Sequence, residues 1–548
     1  MIKKNGLWYT IKYYYVIPFI LLGILFLKAK NYIFTLSCRY MHLTEDHFFY
    51  QLYKLSVPIG LIAVWFIIVL VICRTRRYTY WTHRSYLKDS QKYHRNYHDL
   101  LEFFRDAEPH RLDTSVFKKA NWKDSSGIIF GMDKKKLIKI PTASECNIAV
   151  FGPPGSGKTA GVAIINAMSF SGSVIAVDIK TDIYNYVSKH SNRKIVRFCP
   201  DSPTALKDSV HFNPFHGIEK MSLTDRKLYL ESMAIVLIPD EGGSDSNYFT
   251  SRARKMFQGI VHLLLHDNPA TSFPDVIHTI LQGNIFDFVT TAINSNCEPA
   301  KELLASLYGN TEKNVASAYD ALTTALVHFS NPILDELLSK NGDCISIETL
   351  DSGCDLYLQI TQEHLDAYAP LFTLLLQSLS VDLSKRMDNS ILMANGKTGT
   401  GNRPILMLLD EFPQLTFSYK LINSNLSTLR SKSVICMLIQ QNLSQLEHRY
   451  QSTGSRSILG NCNYQIILGS NDITSSKFFS DTFGEKKVLK ISYSEKKSNN
   501  QSTGYSIQES REKVFQPPHF ADLPAENKMV LYFKGKYCEI HKLNCYKD

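Results

Sequence analysis

The stretch NIAVFGPPGSGKTAGVAII, residues 147–165, carries the pattern on which the fold of this chain turns. Gly152, Gly157, Lys158 and Thr159 fit G-x-x-x-x-G-K-[ST]. Glycines in such a loop allow positive φ, so backbone N–H groups converge on phosphate oxygens. NIAVF before the loop reads as a buried strand, and KTAGVAIINAM after it as a helix whose positive end faces the loop. A glycine turn without that strand and helix would be only a turn. The residues expected to cradle ATP are Gly152, Pro153, Pro154, Gly155, Ser156, Gly157, Lys158, Thr159 and Ala160. Lys158 reaches the β and γ phosphates, and the Thr159 hydroxyl is a Mg²⁺ ligand.

A phosphate loop needs a second element that holds the metal and activates water. RPILMLLDEFPQL, residues 403–415, supplies it. Ile405 to Leu409 form an apolar run that suits a buried parallel strand. Asp410 and Glu411 follow at its C-terminal end, where ligands gather in open α/β sheets. Asp410 is expected to hold Mg²⁺ through water, and Glu411 to polarise the attacking water. Further strands are expected at Gly172–Lys180, which ends near Asp178, at Ser433–Gln441 and at Tyr464–Asp472. Gln441, at a strand end, is a candidate γ-phosphate sensor. Strands alternating with helices predict a parallel, doubly wound sheet. Residues 223–386 read differently, with apolar residues at helical spacing, and predict an all-α domain inserted into the nucleotide-binding core. Within that stretch LYLQIT looks like a strand rejoining the sheet. The core is therefore expected in two parts, 78–222 and 387–548. Residues 494–510 read as a polar excursion.

The N-terminal region is greasy. YYYVIPFILLGILFL begins at Tyr13, and LSVPIGLIAVWFIIVLVIC, Leu55 to Cys73, carries no charge. These predict two transmembrane helices, about 13–28 and 55–73, within an anchor covering residues 1–77. Large polar residues after the first run argue against a cleaved leader. Basic residues are densest after the second run, at Arg74, Arg76, Arg77, Arg84, Lys88, Lys92 and Arg95. Both termini and the large domain are thus expected in the cytoplasm, beneath a bacterial inner membrane. The net charge of +10 is a mild basic bias that selects no partner. The eleven cysteines form no CxxC pair, which disfavours a zinc cluster or disulfide framework and leaves free thiols.

These blocks, in this order behind two spans, resemble the type IV secretion coupling proteins of the TraG-like family. The resemblance extends from GPPGSGKT through VDIKTDIY (177–184), HFNPF (211–215), LLDEFPQL and LRSKSVICMLIQQNLSQL (429–446) to the block at 460–484. It implies an α/β fold: a RecA-like P-loop domain with an inserted all-α domain, behind two N-terminal transmembrane helices. It implies a homo-hexameric P-loop ATPase, DNA-stimulated and docked on inner-membrane components of a type IV secretion system. Its cargo would be a relaxase with single-stranded DNA, effector proteins, or both. Arg430 stands where the family's trans-acting arginine finger is expected. DIKTD departs from the family's D-P-K-G-E segment, so Thr181 and Asp182 carry no role here. Cargo recognition is expected to fall to the helical insertion. Two other readings compete: an FtsK/HerA-like membrane-anchored DNA translocase, and a docking scaffold that binds ATP without turnover.

Overall fold

The apolar runs 148–151, 173–177, 405–409 and 434–440 are strands buried along their whole length, and they lie in one sheet with seven others. β1 (Ile128–Asp133), β2 (Lys136–Ile140), β3 (Ile148–Phe151), β4 (Ser173–Val177) and β5 (Lys194–Phe198) come first. β6 (Cys354–Leu358), β7 (Ile405–Leu409), β8 (Val434–Gln440) and β9 (Tyr464–Ile467) follow. The computed structural model describes residues 122–547 apart from 124, 135, 240–243, 308–311, 340–343, 390–401, 416 and 497–501. The two segments expected to span a membrane lie outside the described residues. Among the described residues no helix is long and apolar enough to cross a membrane.

The sheet runs in the order β2-β1-β13-β12-β9-β3-β8-β7-β4-β6-β5, where β12 is Lys528–Phe533 and β13 is Lys536–His541. From β9 to β5 every pairing is parallel. The other four strands are antiparallel, so the sheet is mixed rather than the parallel sheet expected. The reason is local. Lys534 and Gly535 both have positive φ, 47° and 80°, which is the mirror-image turn that closes a tight hairpin between β12 and β13. That hairpin then covers β9, which would otherwise be an open edge.

The phosphate-loop helix α1 (Ile164–Ser169) packs on the β3 face together with α2 (Asp182–His190). Asn166 ties α1 to β1. Its Oδ1 accepts from the Ile129 amide at 2.7 Å, and its Nδ2 donates to the Ile129 and Val162 carbonyls at 3.0 and 2.9 Å. A fully buried amide with all these bonds fixes register at no desolvation penalty. The far edge has a similar device. Asp355 on β6 is fully buried, takes the Val174 amide at 2.9 Å, and pairs with Arg193, whose Nη2 lies 2.7 Å away. Removing one member of a buried pair strands the other charge. Asp355→Ala is therefore expected to destabilise the chain by about 3–5 kcal/mol, read as a lower melting temperature of the detergent-solubilised protein.

Among the described residues, 223–337 hold helices without a strand, beginning with α3 (Leu223–Leu237) and α4 (Ser244–Asp267). β6 then takes its place between β4 and β5, and α5 (Leu365–Ser384) returns to pack on α3. The segment read as a polar excursion contains parts of two strands. β10 (Glu485–Lys496) and β11 (Ser502–Lys513) pair antiparallel from Glu485↔Lys513 to Lys496↔Ser502. Val488, Leu489, Ile491 and Tyr493 give this ribbon the strand propensity that its lysines and serines mask in a reading by polarity. The ribbon belongs to a compact unit distinct from the one that carries the sheet.

Candidate functional site

Parallel pairing brings the C-terminal ends of β3, β8, β7 and β4 together at one edge. Phe151 is in register with Gln440, Leu409 with Leu438, and Val177 with Leu409. The residues that leave those strands are the phosphate loop, Gln441, Asp410 and Asp178. Neighbouring strands are ~4.8 Å apart, so adjacent strand ends lie within reach of one ligand.

The loop is held from below. The Gly152 amide donates to the Gln440 carbonyl at 3.2 Å, and Leu468 donates to Phe151 at 2.8 Å. Gly155 and Gly157 sit at φ +76° and +93°. A Cβ on Gly152 would come within 2.3 Å of the Ser156 hydroxyl oxygen, so only glycine fits there. The Lys158 ammonium lies inside the loop and donates to the Gly152 carbonyl at 2.6 Å and the Pro153 carbonyl at 3.3 Å. Burial lowers its pKa, Glu411 and Asp410 pull it back up, and Lys180 pushes it down again. Thr159 opens the helix that continues into α1.

Asp410 and Glu411 are 9% and 8% exposed. Burial raises the Asp410 pKa to about 6; the Glu411 charge adds to the rise, while the Glu411 amide and Lys158 oppose it. Glu411 has left-handed backbone, φ 49° and ψ 41°, uncommon for a residue with a side chain and typical of sites held under strain. That turn points the Glu411 amide at Asp410 Oδ1, 3.1 Å away. Gln441 Nε2 donates to both Glu411 oxygens, at 3.1 and 3.3 Å. Gln441 therefore links the end of β8 to the acid at the end of β7, and holds the carboxylate that faces the loop.

Asp178 joins this group, although its sequence position suggested only a strand end. It is 1% exposed and accepts the Ile183 and Tyr184 amides at 3.3 and 2.8 Å. Burial raises its pKa to about 6 against those two bonds, with Asp410 and Asp182 adding to the rise. The signal was legible: VIAVD and LMLLD are the same apolar run ending in an acid.

Arg430 does not join the group within this chain. It precedes β8, and its charge acts on Cys146 ahead of β3, at the opposite end of the strands from the loop. Seven residues of β8 put the two ends roughly 23 Å apart. Among the described residues the cysteines are free, and burial pushes the Cys146 and Cys436 thiols up to about 12, protonated and unreactive.

The donors suit Mg²⁺. Among the described residues no three acidic, histidine or cysteine side chains gather as a protein-only metal cage. One buried carboxylate and one hydroxyl beside a phosphate loop are what Mg²⁺ uses when phosphates and water complete its shell.

The chain is similar to known proteins over most of its length. Residues 110–548 match the family described as Type IV secretory system Conjugative DNA transfer. Protein VirD4 of Rhizobium radiobacter is 23% identical over 405 residues, covering 73% of this chain and 57% of VirD4. Conjugal transfer protein TraG of Escherichia coli is 21% identical over 364 residues, covering 63% of this chain and 56% of TraG. The chain thus spans a little over half the length of these curated relatives. The plasmid coupling protein TrwB in complex with ADP and Mg²⁺ superposes with a TM-score of 0.58 at 15% identity, over 79% of this chain and 93% of TrwB. TrwB with a non-hydrolysable ATP analogue gives 0.57 at 16% identity, over 80% and 95%. The fold is shared with TrwB, and with the family match covering most of its length, this chain belongs to the type IV secretory system conjugative DNA transfer family.

Proposed function

We propose that this chain is the membrane-anchored coupling ATPase of a conjugative type IV secretion apparatus. In this reading it recruits a relaxase bound to single-stranded DNA, or protein substrates, and uses ATP hydrolysis to drive or license their passage. The observation that carries it is the convergence of the phosphate loop, Gln441, Asp410 and Glu411 at one sheet edge. Relatives named for conjugal transfer, and a TrwB neighbour solved with ADP and Mg²⁺, support the same reading.

In this reading the residues divide the work as follows. The loop amides and Lys158 hold the triphosphate. Thr159 and Asp410 hold Mg²⁺, which, when bound, neutralises charge developing on the transferred phosphoryl group. Glu411 orients the attacking water, and Gln441 sets the Glu411 carboxylate and reports the γ-phosphate to β8. Arg430, on the far side of its own subunit, acts on a neighbour's nucleotide in a homo-hexamer. Residues 1–77 anchor the chain in the inner membrane, 78–222 and 387–548 build the motor, and 223–386 receive cargo.

Turnover by the intact chain in detergent or liposomes tests this reading, with and without single-stranded DNA. The expected result is phosphate release that DNA stimulates. Glu411→Gln should cut turnover by roughly 10²–10³-fold, the scale of a lost general base, and leave ATP binding in place. Binding without measurable release by the intact chain, whatever DNA is added, would favour the scaffold reading instead.

A further inference from the structure

The segment that follows β13 lies across the phosphate-loop helix and is bonded into it. Lys542 Nζ donates to the Ser156 carbonyl, inside the loop, at 3.1 Å and to Pro524 at 3.4 Å. Cys545 donates its amide to the Ala160 carbonyl at 3.1 Å. That carbonyl is available because the first helical turn, Thr159–Ala163, is a π-turn: the Ile164 amide bonds back to Thr159 rather than to Ala160. Such turns recur at functional sites. Gly161 permits the approach, since a Cβ there would stand 2.7 Å from the Leu543 carbonyl oxygen. On the other side the Tyr186 hydroxyl donates to the Cys545 carbonyl at 2.9 Å, so α2 grips the same residue. Leu543 and Cys545 are buried.

This packing leaves one large group outside. Tyr546 is 65% exposed, its ring edge-on to Tyr186 at 5.4 Å, and Tyr186 stacks on His190 at 4.2 Å. Two clamped neighbours, Cys545 on Ala160 and Tyr186 on Cys545, fix its position beside the residue after Thr159. A triphosphate laid along the loop has its γ end at Lys158. Its α end lies toward the start of the helix, so the nucleoside leaves the loop past Ala160.

We propose that residues 542–546 form the nucleoside side of the nucleotide pocket, with Tyr546 the ring on which the base stacks and Lys542 the residue that holds the loop beneath it. The proposal rests on the nucleotide-site reading given above and extends it from the phosphates to the base. Stacking on a tyrosine is sequence-tolerant, because every base presents a π-face. The site is thus one for nucleoside triphosphates without strong selection among bases.

The test compares two ligands on the full chain in detergent: ATP, and inorganic tripolyphosphate, which has the phosphates without the base. Tyr546→Ala should weaken ATP binding about tenfold, the scale of one lost stacking contact, and leave tripolyphosphate binding unchanged. Tyr546→Phe should keep wild-type affinity for both. Lys542→Met should weaken both ligands alike, because it acts on the loop. Unchanged ATP affinity in Tyr546→Ala overturns the proposal, as does an equal loss for the two ligands in that variant. Failure of the unsubstituted chain to bind either ligand removes the nucleotide site itself, an outcome distinct from both.

Discussion

Lys158→Ala is expected to lower ATP turnover by roughly 10³-fold and to abolish conjugative transfer in a complementation assay. The size follows from what the ammonium does. It is the cation seated inside the loop, donating to the Gly152 and Pro153 carbonyls. Burial lowers its pKa, and the Glu411 and Asp410 charges oppose that effect. A bound triphosphate competes with those two carbonyls for the same three N–H donors. As the γ-phosphoryl group loosens, charge builds on its oxygens and on the leaving β-phosphate, and a preorganised cation in a half-dry site is worth several kcal/mol there. Ground-state binding should suffer less, about tenfold, since the loop amides remain. Phosphate release at saturating ATP separates the two effects. Wild-type transfer frequency from the alanine variant would sink the motor reading.

The strands flanking the site were legible because each is a four- to seven-residue apolar run closed by a residue of the candidate site. IAVF ends in the loop, ILMLL in Asp410 and VICMLIQ in Gln441. Burial on both faces makes such runs uninterrupted, the mark of a parallel strand. The same rule hides β1, β2, β12 and β13, antiparallel strands that are not buried along their whole length and whose ends carry polar or charged residues. Their pairing is a tertiary fact: β12 exists as a strand because β9 offers an edge. Lys542 and Tyr546 were invisible for the same reason. Lys542 lies 386 residues from the loop it bonds, Tyr546 packs on Tyr186 from nearly as far along the chain, and no local pattern records a contact at that distance. Arg430 is the converse case. The resemblance suggested a role for it, and the single chain sets it before β8, at the end of the strand away from the phosphate loop.

Asp410→Asn is expected to abolish turnover and, in the absence of nucleotide and Mg²⁺, to stabilise the protein. Asp410 is 9% exposed with Glu411 beside it, and burial first, then the Glu411 charge, raises its pKa from the usual 3.8 to about 6. At pH 7.5 the folded chain must therefore carry an ionised carboxylate that it disfavours. The sign follows from linkage. Between about pH 4 and pH 6 the folded state binds more protons at this group than the unfolded state, so its contribution is fully present below the unfolded pKa and is lost as pH rises through the folded one. Asparagine has the same shape, still accepts the Glu411 amide through its Oδ1, and carries no charge. The variant should thus gain about 1–3 kcal/mol at pH 7.5, visible as a higher melting temperature of the free protein. The gain should shrink through pH 6 and vanish near pH 4. Adding ATP and Mg²⁺ should reverse the order, because only the carboxylate can hold the ion and only the wild type gains the full stabilisation of its ligand. A variant that melts below the wild type at pH 7.5 without ligand would mean that Asp410 sits in a net favourable field, and that the pair at the end of β7 is held for stability rather than for a cation.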